Sequence, residues 1–369
     1  MIADLPPLDV STRIPRLRGR LEEAGVDALV VTGMSNVRYL TGFSGSAGRL
    51  LVGPEQALLV TDGRYRTQSA EELAAAGVEA DVEIGRPPEQ QEVLVKAATA
   101  YRLLGLEEDH VSWGWKRALA GALGGQTELV ATAGLVEGLR RVKDEGEVAR
   151  IEAAASVADQ ALARVRPLMA ERPTEEELAL ALDYEMRRLG AGDRAFETIV
   201  ASGPNAGKPH ARPGARRIGE GELVVMDFGA VVEGYRSDMT RTLCLGPPAT
   251  GVLAAVVEVV QASQAAGLGA VSAGVGGAEV DRACREVVAA AGWAEAFVHG
   301  TGHGVGLDVH EAPALSVTST DRLEESSVVT VEPGVYLPGH GGARIEDTVV
   351  VVAGGHRVLT RSPREVVVS

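Results

Sequence analysis

The residues best suited to chemistry are carboxylates that lie at the edges of apolar, strand-like runs. Asp227 and Glu332 each end such a run. Asp238 precedes another run, and Glu346 lies at the start of a further one. A carboxylate beside a buried strand is costly unless a cation or a hydrogen bond compensates its charge. One such acid is usually a surface residue or a helix cap, but four of them indicate a metal site.

The distribution of histidines supports this interpretation. The chain has seven histidines, and four of them lie in its second part among glycines, prolines and acids: His210, His299, His303 and His310. Three of these four fall in residues 299–311, where closely spaced glycines let the backbone bend and approach a ligand. The glycine spacing does not match the GxGxxG pattern of a dinucleotide-binding loop, so we do not expect a nucleotide there.

Four carboxylates and one imidazole can hold two divalent ions. Mixed oxygen and nitrogen ligands suit Mn, Co, Zn or Fe(II) better than an ion that prefers thiolates. Two such ions about 3.5–4 Å apart can activate a water molecule and polarise a carbonyl group, which is the chemistry of amide hydrolysis. This chemistry needs no serine or cysteine nucleophile, and we interpret Cys244 and Cys284 as core residues.

The elements that must position these residues form an α+β pattern in the second part of the chain. Residues 222–245 predict two strands joined by a turn at Val232–Tyr235, with Asp227 and Asp238 on this hairpin. Helices are predicted at residues 145–169, 174–190, 249–272 and 277–291. Further strands are predicted at residues 198–202, 327–331 and 343–352.

The first part of the chain alternates predicted helices with predicted strands, which is an α/β pattern. Residues 36–48 are rich in glycine and serine and are interpreted as a turn, since they lack the Gly-Lys-Ser/Thr of a P-loop. The pattern changes around Arg140 and Arg141. We therefore predict two domains, at residues 1–141 and 142–369.

Composition excludes several classes of protein. The net charge of −15 argues against a nucleic-acid or anionic-membrane partner, because both need a basic surface. Two cysteines do not make a disulfide framework, and the first residues lack a signal-peptide pattern, so a cytoplasmic location is expected. The longest apolar stretch, at residues 252–275, is interrupted by Glu258, Gln261 and Gln264, and we predict a buried helix there and no membrane span.

The order of the candidate ligands resembles that of the pita-bread metallopeptidases, which include methionine aminopeptidase, aminopeptidase P and prolidase. The motifs that carry the resemblance are MDFGAVVEGYRSDMTRT, HGTGHGVGLDVHE, VEPGVY and RIEDT. The first part resembles the N-terminal domain of aminopeptidase P and prolidase through NVRYLTGFSGSAG and LLVTDGRYRTQS. This additional domain argues against methionine aminopeptidase. Creatinase shares both domains but lacks the metal ligands, so it is disfavoured as well.

The resemblance implies an α/β N-terminal domain followed by an α+β pita-bread catalytic domain. It also implies two divalent ions, with Mn as the first expectation, and a homodimer. Asp227 and Asp238 would share one ion. The other ion would be held by Asp238, His303, Glu332 and Glu346, with Glu346 bridging both ions.

Roles for further residues are implied in the same way. Glu332 would also accept and transfer a proton, and His210 would assist the leaving nitrogen or the scissile carbonyl. His310 would contact the carbonyl and the proline side, and His299 would line the pocket. Tyr336 and Arg344 match positions near the proline and carboxylate side of a substrate. The alternatives are structural: loop histidines held by hydrogen bonds, a packed tyrosine, and an ion pair between Arg344 and an acid such as Asp347.

The implied function is hydrolysis of the bond between an N-terminal residue and proline, most directly in Xaa-Pro dipeptides. An aminopeptidase P acting on longer peptides is the alternative, and a non-catalytic peptide-binding protein on the same fold is a third. A dipeptidase must bind or sterically require a free carboxylate just beyond the proline, which needs a cation or a blocking loop, from the N-terminal domain or a partner subunit. The candidate cations for this task are Arg38, Arg49, Arg64 and Arg344.

Overall fold

The structure is a computed structural model that describes residues 5–368. The backbone contacts divide the chain into two compact units. One unit comprises Pro7–Arg140, and the other begins at Arg141 and also includes Leu5 and Pro6.

The unit at Pro7–Arg140 is built on a six-stranded mixed sheet with the strand order β4-β3-β2-β1-β5-β6. Its strands are β1 Ala28–Val31, β2 Gly48–Val52, β3 Ala57–Thr61, β4 Asp81–Ile84, β5 Leu103–Glu107 and β6 Glu128–Thr132. Its α-helices are α1 Arg13–Glu23, α2 Met34–Thr41, α3 Arg66–Ala75, α4 Pro87–Ala98, α5 Trp113–Leu123 and α6 Glu137–Arg140. A short 3-10 helix, Gly63–Tyr65, precedes α3. The predicted α/β architecture of this part is confirmed.

The predicted turn at residues 36–48 is wrong over its first half, because Met34–Thr41 is the helix α2. Gly42 ends this helix with a φ of 76°, in the left-handed region that glycine tolerates. Asn36 is fully buried in the helix, and its amide donates to the Oε1 of Glu107 over 2.7 Å and to Glu137. A buried polar network thus stabilises a helix whose local composition is typical of a loop.

Glu107, His110 and Glu137 also form a cluster of metal-ligand types in this unit. Both carboxylate oxygens of Glu107 already accept hydrogen bonds from the protein, including 2.8 Å from the Gly33 nitrogen to Oε2. The Nε2 of His110 lies 3.0 Å from the Oε1 of Glu137. We therefore interpret this cluster as the network that holds α2 in place.

The unit that begins at Arg141 contains four sheets and four α-helices among its described residues. Its strands are β7 Asp193–Arg194, β8 Ile199–Ser202, β9 Leu223–Phe228, β10 Ala230–Val232, β11 Tyr235–Arg236, β12 Met239–Leu245, β13 Gly302–Gly304, β14 Glu311–Leu315, β15 Val328–Val331, β16 Gly334–Leu337, β17 Gly341–Arg344, β18 Asp347–Val352, β19 Gly355–Val358 and β20 Val367–Val368. Its helices are α7 Glu145–Val165, α8 Glu175–Arg188, α9 Gly251–Ala270 and α10 Gly277–Ala290, and its 3-10 helices are Arg166–Glu171, Gly203–Gly207 and Ala294–Ala296.

Two of these sheets carry the candidate ligands. One is four-stranded with the order β20-β12-β9-β8, and the other is five-stranded with the order β14-β13-β15-β18-β19. Helices α7 and α8 pack in one apolar cluster with β9 and β12, and α9 and α10 pack in a second with β15 and β18. The predicted α+β pita-bread class is confirmed for this part.

Local capping explains where the first two helices of this unit begin. Asp144 and Thr174 each form a capping box, with the side chain of the cap residue accepting a hydrogen bond from the backbone three residues on. The predicted end of the first helix at residue 169 is wrong. Helix α7 ends at Val165 and gives way to a 3-10 helix that contains Pro167, which cannot donate a backbone hydrogen bond.

Helix α9 is long and apolar enough to cross a membrane by length and composition alone. Its buried face includes the polar residues Ser263 and Gln264. The Ser263 hydroxyl donates to the Cys284 carbonyl over 2.9 Å, and the Gln264 amide donates to Asp347 over 2.7 Å. These bonds tie the helix into the interior of its unit, as predicted for a buried helix.

Candidate metal centre

The hairpin that contains Asp227 and Asp238 is more elaborate than predicted. Strands β9 and β12 pair antiparallel, with Asp227 opposite Thr240. A second, smaller hairpin of β10 and β11 lies between them and turns at Glu233 and Gly234, whose φ values of 46° and 86° are in the left-handed region. Asp227 therefore lies within β9, and Asp238 directly precedes β12. The pairing brings both carboxylates to the same end of the hairpin.

His303 and Glu332 are positioned by the five-stranded sheet. His303 is the middle residue of β13, which lies between β14 and β15, and Glu332 directly follows β15. A Cβ atom added at Gly302 would overlap the Thr330 carbonyl, so only glycine allows β13 to approach β15 this closely. The glycines around His303 thus serve strand packing.

Glu346 lies in a two-residue break between β17 and β18. The prediction of one continuous strand over residues 343–352 is wrong at this point. The physical reason is that the Glu346 nitrogen donates a hydrogen bond to the Thr240 carbonyl in β12 over 3.1 Å. At this residue the backbone therefore pairs with the other sheet. The break therefore brings a carboxylate from one sheet to the edge of the other.

Together these elements bring the five predicted ligands to one cavity of about 460 Å³. Asp238, His303 and Glu346 each offer a ligand atom, and these atoms all lie within 4.8 Å of one another. The Nε2 of His303 is 3.6 Å from Asp238 Oδ2 and 3.3 Å from Glu332 Oε1. Asp227 lines the same cavity.

Arg344 is a buried cation inside this group of acids. Its Nη2 lies 2.5 Å from Asp227 Oδ2, and its Nε donates to the Thr240 hydroxyl over 2.9 Å. Its Nη1 donates to the Tyr336 hydroxyl over 2.8 Å and to the Pro209 carbonyl over 3.2 Å. Arg344 is only 2% exposed, and its guanidinium donates to protein acceptors through all three of its nitrogens. Its acidic partner is Asp227 and differs from the anticipated Asp347.

Asp347 belongs to a separate ion cluster behind the ligands. It is fully buried and pairs with Arg241 over 2.8 Å and with Arg364 over 2.6 Å. The same Arg241 also donates to the Glu346 carbonyl. This cluster anchors the backbone that carries Glu346.

Threonine hydroxyls orient the ligand side chains and their backbone. Thr240 donates to Glu346 Oε2 over 2.7 Å, and Thr348 donates to the Asp238 carbonyl over 2.7 Å. The Thr330 hydroxyl accepts from the His303 nitrogen over 3.1 Å. Such partners fix the direction of a metal ligand. Sequence reasoning missed them, because a threonine within a strand gives no local sign of the partner that its hydroxyl meets in another strand.

The electrostatics of the site fit divalent cations. Burial, followed by the charge of Glu346, raises the pKa of Asp238 well above its usual range. Burial and neighbouring acids, Glu332 first, raise the pKa of Glu346 in the same way. Asp227 Oδ1 and Glu346 Oε1 are buried and meet no hydrogen-bond partner within residues 5–368. Crowded carboxylates with free lone pairs are the arrangement that bound cations would stabilise, so the residues present fit the predicted ions.

Glu332 differs from the other acids of the site. Burial raises the pKa of its carboxyl, but the hydrogen bond and the charge of His303 outweigh this effect and lower the pKa to about 2. The same contact, against the effect of burial, raises the pKa of His303. Glu332 is thus held as a carboxylate that can accept a proton.

The other predicted histidines lie around the same cavity. The rings of His310 and His303 are 4.2 Å apart between centroids, and His210 lines the cavity with an exposed side chain. His299 lies 2.8 Å from the Tyr336 hydroxyl through Nε2. Burial lowers the pKa of His299 and of His310, so both imidazoles are neutral at neutral pH.

Tyr336 is buried beneath the site. Its hydroxyl contacts His299 and also accepts a hydrogen bond from Arg344. Burial raises the pKa of its hydroxyl to about 12, which keeps it protonated.

Comparison with known proteins identifies the family. Residues 149–353 match metallopeptidase family M24, and residues 13–142 match the creatinase/prolidase N-terminal domain. The first match alone spans more than half of the chain. The chain belongs to metallopeptidase family M24. Membership of the M24 family makes it a metallopeptidase that uses divalent metal ions, in agreement with the chemistry of the donor set.

Relatives of this M24 chain match it over nearly its full length. The structure of an Xaa-Pro dipeptidase from Bacillus anthracis is 36% identical with a TM-score of 0.90, and the match covers 96% of this chain and 99% of that one. The structure of an X-Pro aminopeptidase from Thermotoga maritima is 35% identical with a TM-score of 0.85, covering 95% and 100%. An Xaa-Pro dipeptidase from Pyrococcus horikoshii is 32% identical, covering 97% and 99%.

We expect the affinity of the M24 centre for divalent ions to rise with pH. The raised pKa values of Asp238 and Glu346 mean that these carboxyls hold protons in the metal-free protein where ordinary carboxyls are ionised. An ion must displace these protons, so binding releases them, and lowering the pH opposes binding. Calorimetric titration with Mn²⁺ in two buffers of different ionisation enthalpy counts the protons. Binding without proton release between about pH 5 and 7 would contradict this expectation.

Proposed function

We propose that this chain hydrolyses the Xaa-Pro bond at the N-terminus of short peptides, as an Xaa-Pro dipeptidase. The observation that carries the proposal is the convergence of four carboxylates and an imidazole, with His210 and His310, on one cavity. A cavity of about 460 Å³ is large enough for a dipeptide. Residues 142–369 are proposed as the catalytic domain and residues 1–141 as the N-terminal domain.

Asp227, Asp238, His303, Glu332 and Glu346 are the proposed ligands of two divalent ions. When bound, the two ions supply an activated water molecule and polarise the scissile carbonyl. Arg344 and Tyr336 were predicted to contact substrate. Their contacts favour a positioning role, because Arg344 holds Asp227 at 2.5 Å and Tyr336 holds Arg344.

Proton transfer is proposed for Glu332. Glu332 lines the cavity beside His303, and we propose that its carboxylate takes a proton from the attacking water and passes it to the leaving nitrogen. His310, neutral because of its lowered pKa, donates a hydrogen bond to the substrate carbonyl. His210 lies on the leaving-nitrogen side of the substrate, and His299 keeps Tyr336 in place.

Selectivity for proline has a physical basis in the leaving group. The nitrogen of a proline imide carries no hydrogen, and the proline ring fixes φ. A cavity that does not need a hydrogen bond from this nitrogen therefore favours proline. The cavity offers the apolar side chains of Phe196, Ile199 and Val309 for contact with apolar parts of a substrate. Several relatives are named Xaa-Pro dipeptidase, which supports the same substrate class.

Manganese, a homodimeric assembly and a cytoplasmic location complete the proposal. Oxygen-rich ligands suit Mn²⁺, and the net charge of −15 suits a protein without a nucleic-acid or membrane partner. Elemental analysis of protein purified without added metal tests the ion. Sedimentation equilibrium and cell fractionation test the assembly and the location.

The choice between dipeptidase and aminopeptidase is tested by comparing Leu-Pro with Leu-Pro-Gly as substrates of the Mn²⁺-loaded protein. We expect a kcat/KM for Leu-Pro at least about tenfold higher, which is about 1.4 kcal/mol in transition-state binding. Equal or faster cleavage of the tripeptide would make the chain an aminopeptidase P. Metal-dependent binding of these peptides without any cleavage would favour the non-catalytic alternative.

His310→Ala is expected to keep both ions but to lower turnover by about 10²-fold. The side chain is not one of the proposed ligands, so metal content stays at the wild-type level, whereas the lost hydrogen bond to the carbonyl slows the chemical step. Metal analysis and kcat for Leu-Pro are measured on the same sample. Unchanged kcat would remove His310 from the mechanism, and lost metal would make it a structural part of the centre.

A further inference from the structure

The cavity beside the metal centre exposes a cation that the protein itself does not use. Arg212 lines this cavity with an exposed side chain. Within residues 5–368, no hydrogen bond, ion pair or ring contact engages it. The other arginine of the lining, Arg344, is buried and fully engaged by protein groups. Arg212 is therefore the guanidinium of this lining that remains available to a ligand.

The position of Arg212 relates it to the proposed leaving-group side. His210 and Arg212 are both exposed, and the residue between them, Ala211, is buried. Both side chains line the cavity, and Ala211 between them lines it as well. A ligand that contacts His210 therefore has Arg212 next to it.

The electrostatics of the lining make an anionic group the natural partner of Arg212. The other carboxylate near the opening, Glu197, already pairs with Arg194 over 3.1 Å. Arg344 pairs with Asp227 of the metal centre, and the proposed ions would compensate the other acids there. A guanidinium presents parallel N–H donors that match the two oxygens of a carboxylate, which gives both attraction and orientation.

We propose that Arg212 binds the free α-carboxylate that follows proline in an Xaa-Pro dipeptide. This inference rests on the proposed function and deepens it, because it assigns the residue that distinguishes a dipeptide from a longer peptide. The α-carboxylate is favoured over an acidic side chain because Arg212 lines the cavity beside His210, for which the leaving-nitrogen side of the substrate is proposed.

The test compares substrates that differ in whether they carry a carboxylate and where it lies. Leu-Pro, Leu-Pro-amide and Glu-Pro-amide are assayed with Mn²⁺-loaded wild type, Arg212→Ala and Arg212→Lys. We expect Arg212→Ala to lower the ratio of kcat/KM for Leu-Pro over Leu-Pro-amide by about tenfold, mainly through KM, because a charge-assisted hydrogen bond is lost. Arg212→Lys is expected to retain part of this preference for Leu-Pro. Added NaCl is expected to lower the ratio in the wild type, because the site is exposed.

Arg217→Ala is the matched control, since Arg217 is an exposed arginine of the same segment that does not line the cavity and lies 3.9 Å from Glu177. We expect Arg217→Ala to keep the wild-type ratio of kcat/KM for Leu-Pro over Leu-Pro-amide. A wild-type ratio in Arg212→Ala overturns the assignment. So does an effect confined to Glu-Pro-amide, which would place a side-chain carboxylate at Arg212. If the wild type cleaves none of these peptides, the proposed function fails, and the inference falls with it.

Discussion

Asp238→Asn is expected to abolish tight binding of the ions and to lower kcat/KM for Leu-Pro by roughly 10³-fold or more. The Oδ2 of Asp238 lies 3.6 Å from His303 Nε2, and Asp238 is proposed, like Glu346, to contact both ions. The amide keeps the shape of the side chain but removes the charge and one ligand oxygen. Metal content is measured after dialysis, and kinetics are measured at saturating Mn²⁺.

The fold is expected to survive this substitution. Burial and neighbouring acids already favour the neutral form of Asp238, so a neutral amide relieves repulsion in the metal-free protein. With chelator present, the thermal midpoint therefore stays at or above that of the wild type, but the rise that Mn²⁺ causes in the wild type is lost. Asp193→Asn makes the same chemical change at an exposed ion pair with Arg187 and leaves metal content at the wild-type level. Full metal loading of Asp238→Asn would refute the ligand assignment.

Arg344→Met is expected to lower the free energy of unfolding by about 3–5 kcal/mol in the presence of chelator. The substitution removes the partner of the Asp227 carboxylate in a buried site and also leaves the hydroxyls of Thr240 and Tyr336 without their donor. Burial already raises the pKa of Asp227 despite the guanidinium, so its charge is poorly compensated once Arg344 is gone. Denaturant titration monitored by circular dichroism measures the change.

Two variants separate the buried ion pair from a general effect of losing an arginine. Arg344→Lys keeps the charge but cannot form the fork of hydrogen bonds, so its loss of stability lies between that of the methionine variant and the wild type. Arg172→Met removes an exposed arginine paired with Glu220 and changes stability by no more than about 1 kcal/mol. An Arg344→Met protein as stable as the wild type would show that the pair with Asp227 does not support the site.

The gathering of the candidate ligands was predictable because each lies at an edge of an apolar run. Asp227 and Asp238 belong to one hairpin, so local pairing alone brings them close. Glu332 and His303 follow from the pairing of β13 with β15, which the glycines around His303 permit. The order of these residues along the chain resembles that in the pita-bread enzymes, and this resemblance indicated that they form one set of ligands.

What the sequence could not predict depends on contacts between distant residues. Arg344 and Asp227 are 117 positions apart, and their pairing arises only when β17 packs beside β9. The break at Glu346 has the same origin, since its nitrogen bonds to a carbonyl in β12. Helix α2 was missed because buried polar contacts of Asn36, which no local pattern reveals, stabilise it.

The central claim is that this chain is a metal-dependent Xaa-Pro hydrolase, and a stoichiometric titration tests it most directly. Metal-free protein is prepared with chelator, and the hydrolysis of Leu-Pro is followed as Mn²⁺ is added in known equivalents. We predict no hydrolysis without metal, a rise in rate as ions bind, and saturation at two equivalents per chain. Hydrolysis that persists in chelator, or the absence of hydrolysis at any level of Mn²⁺ or Co²⁺, would contradict the claim.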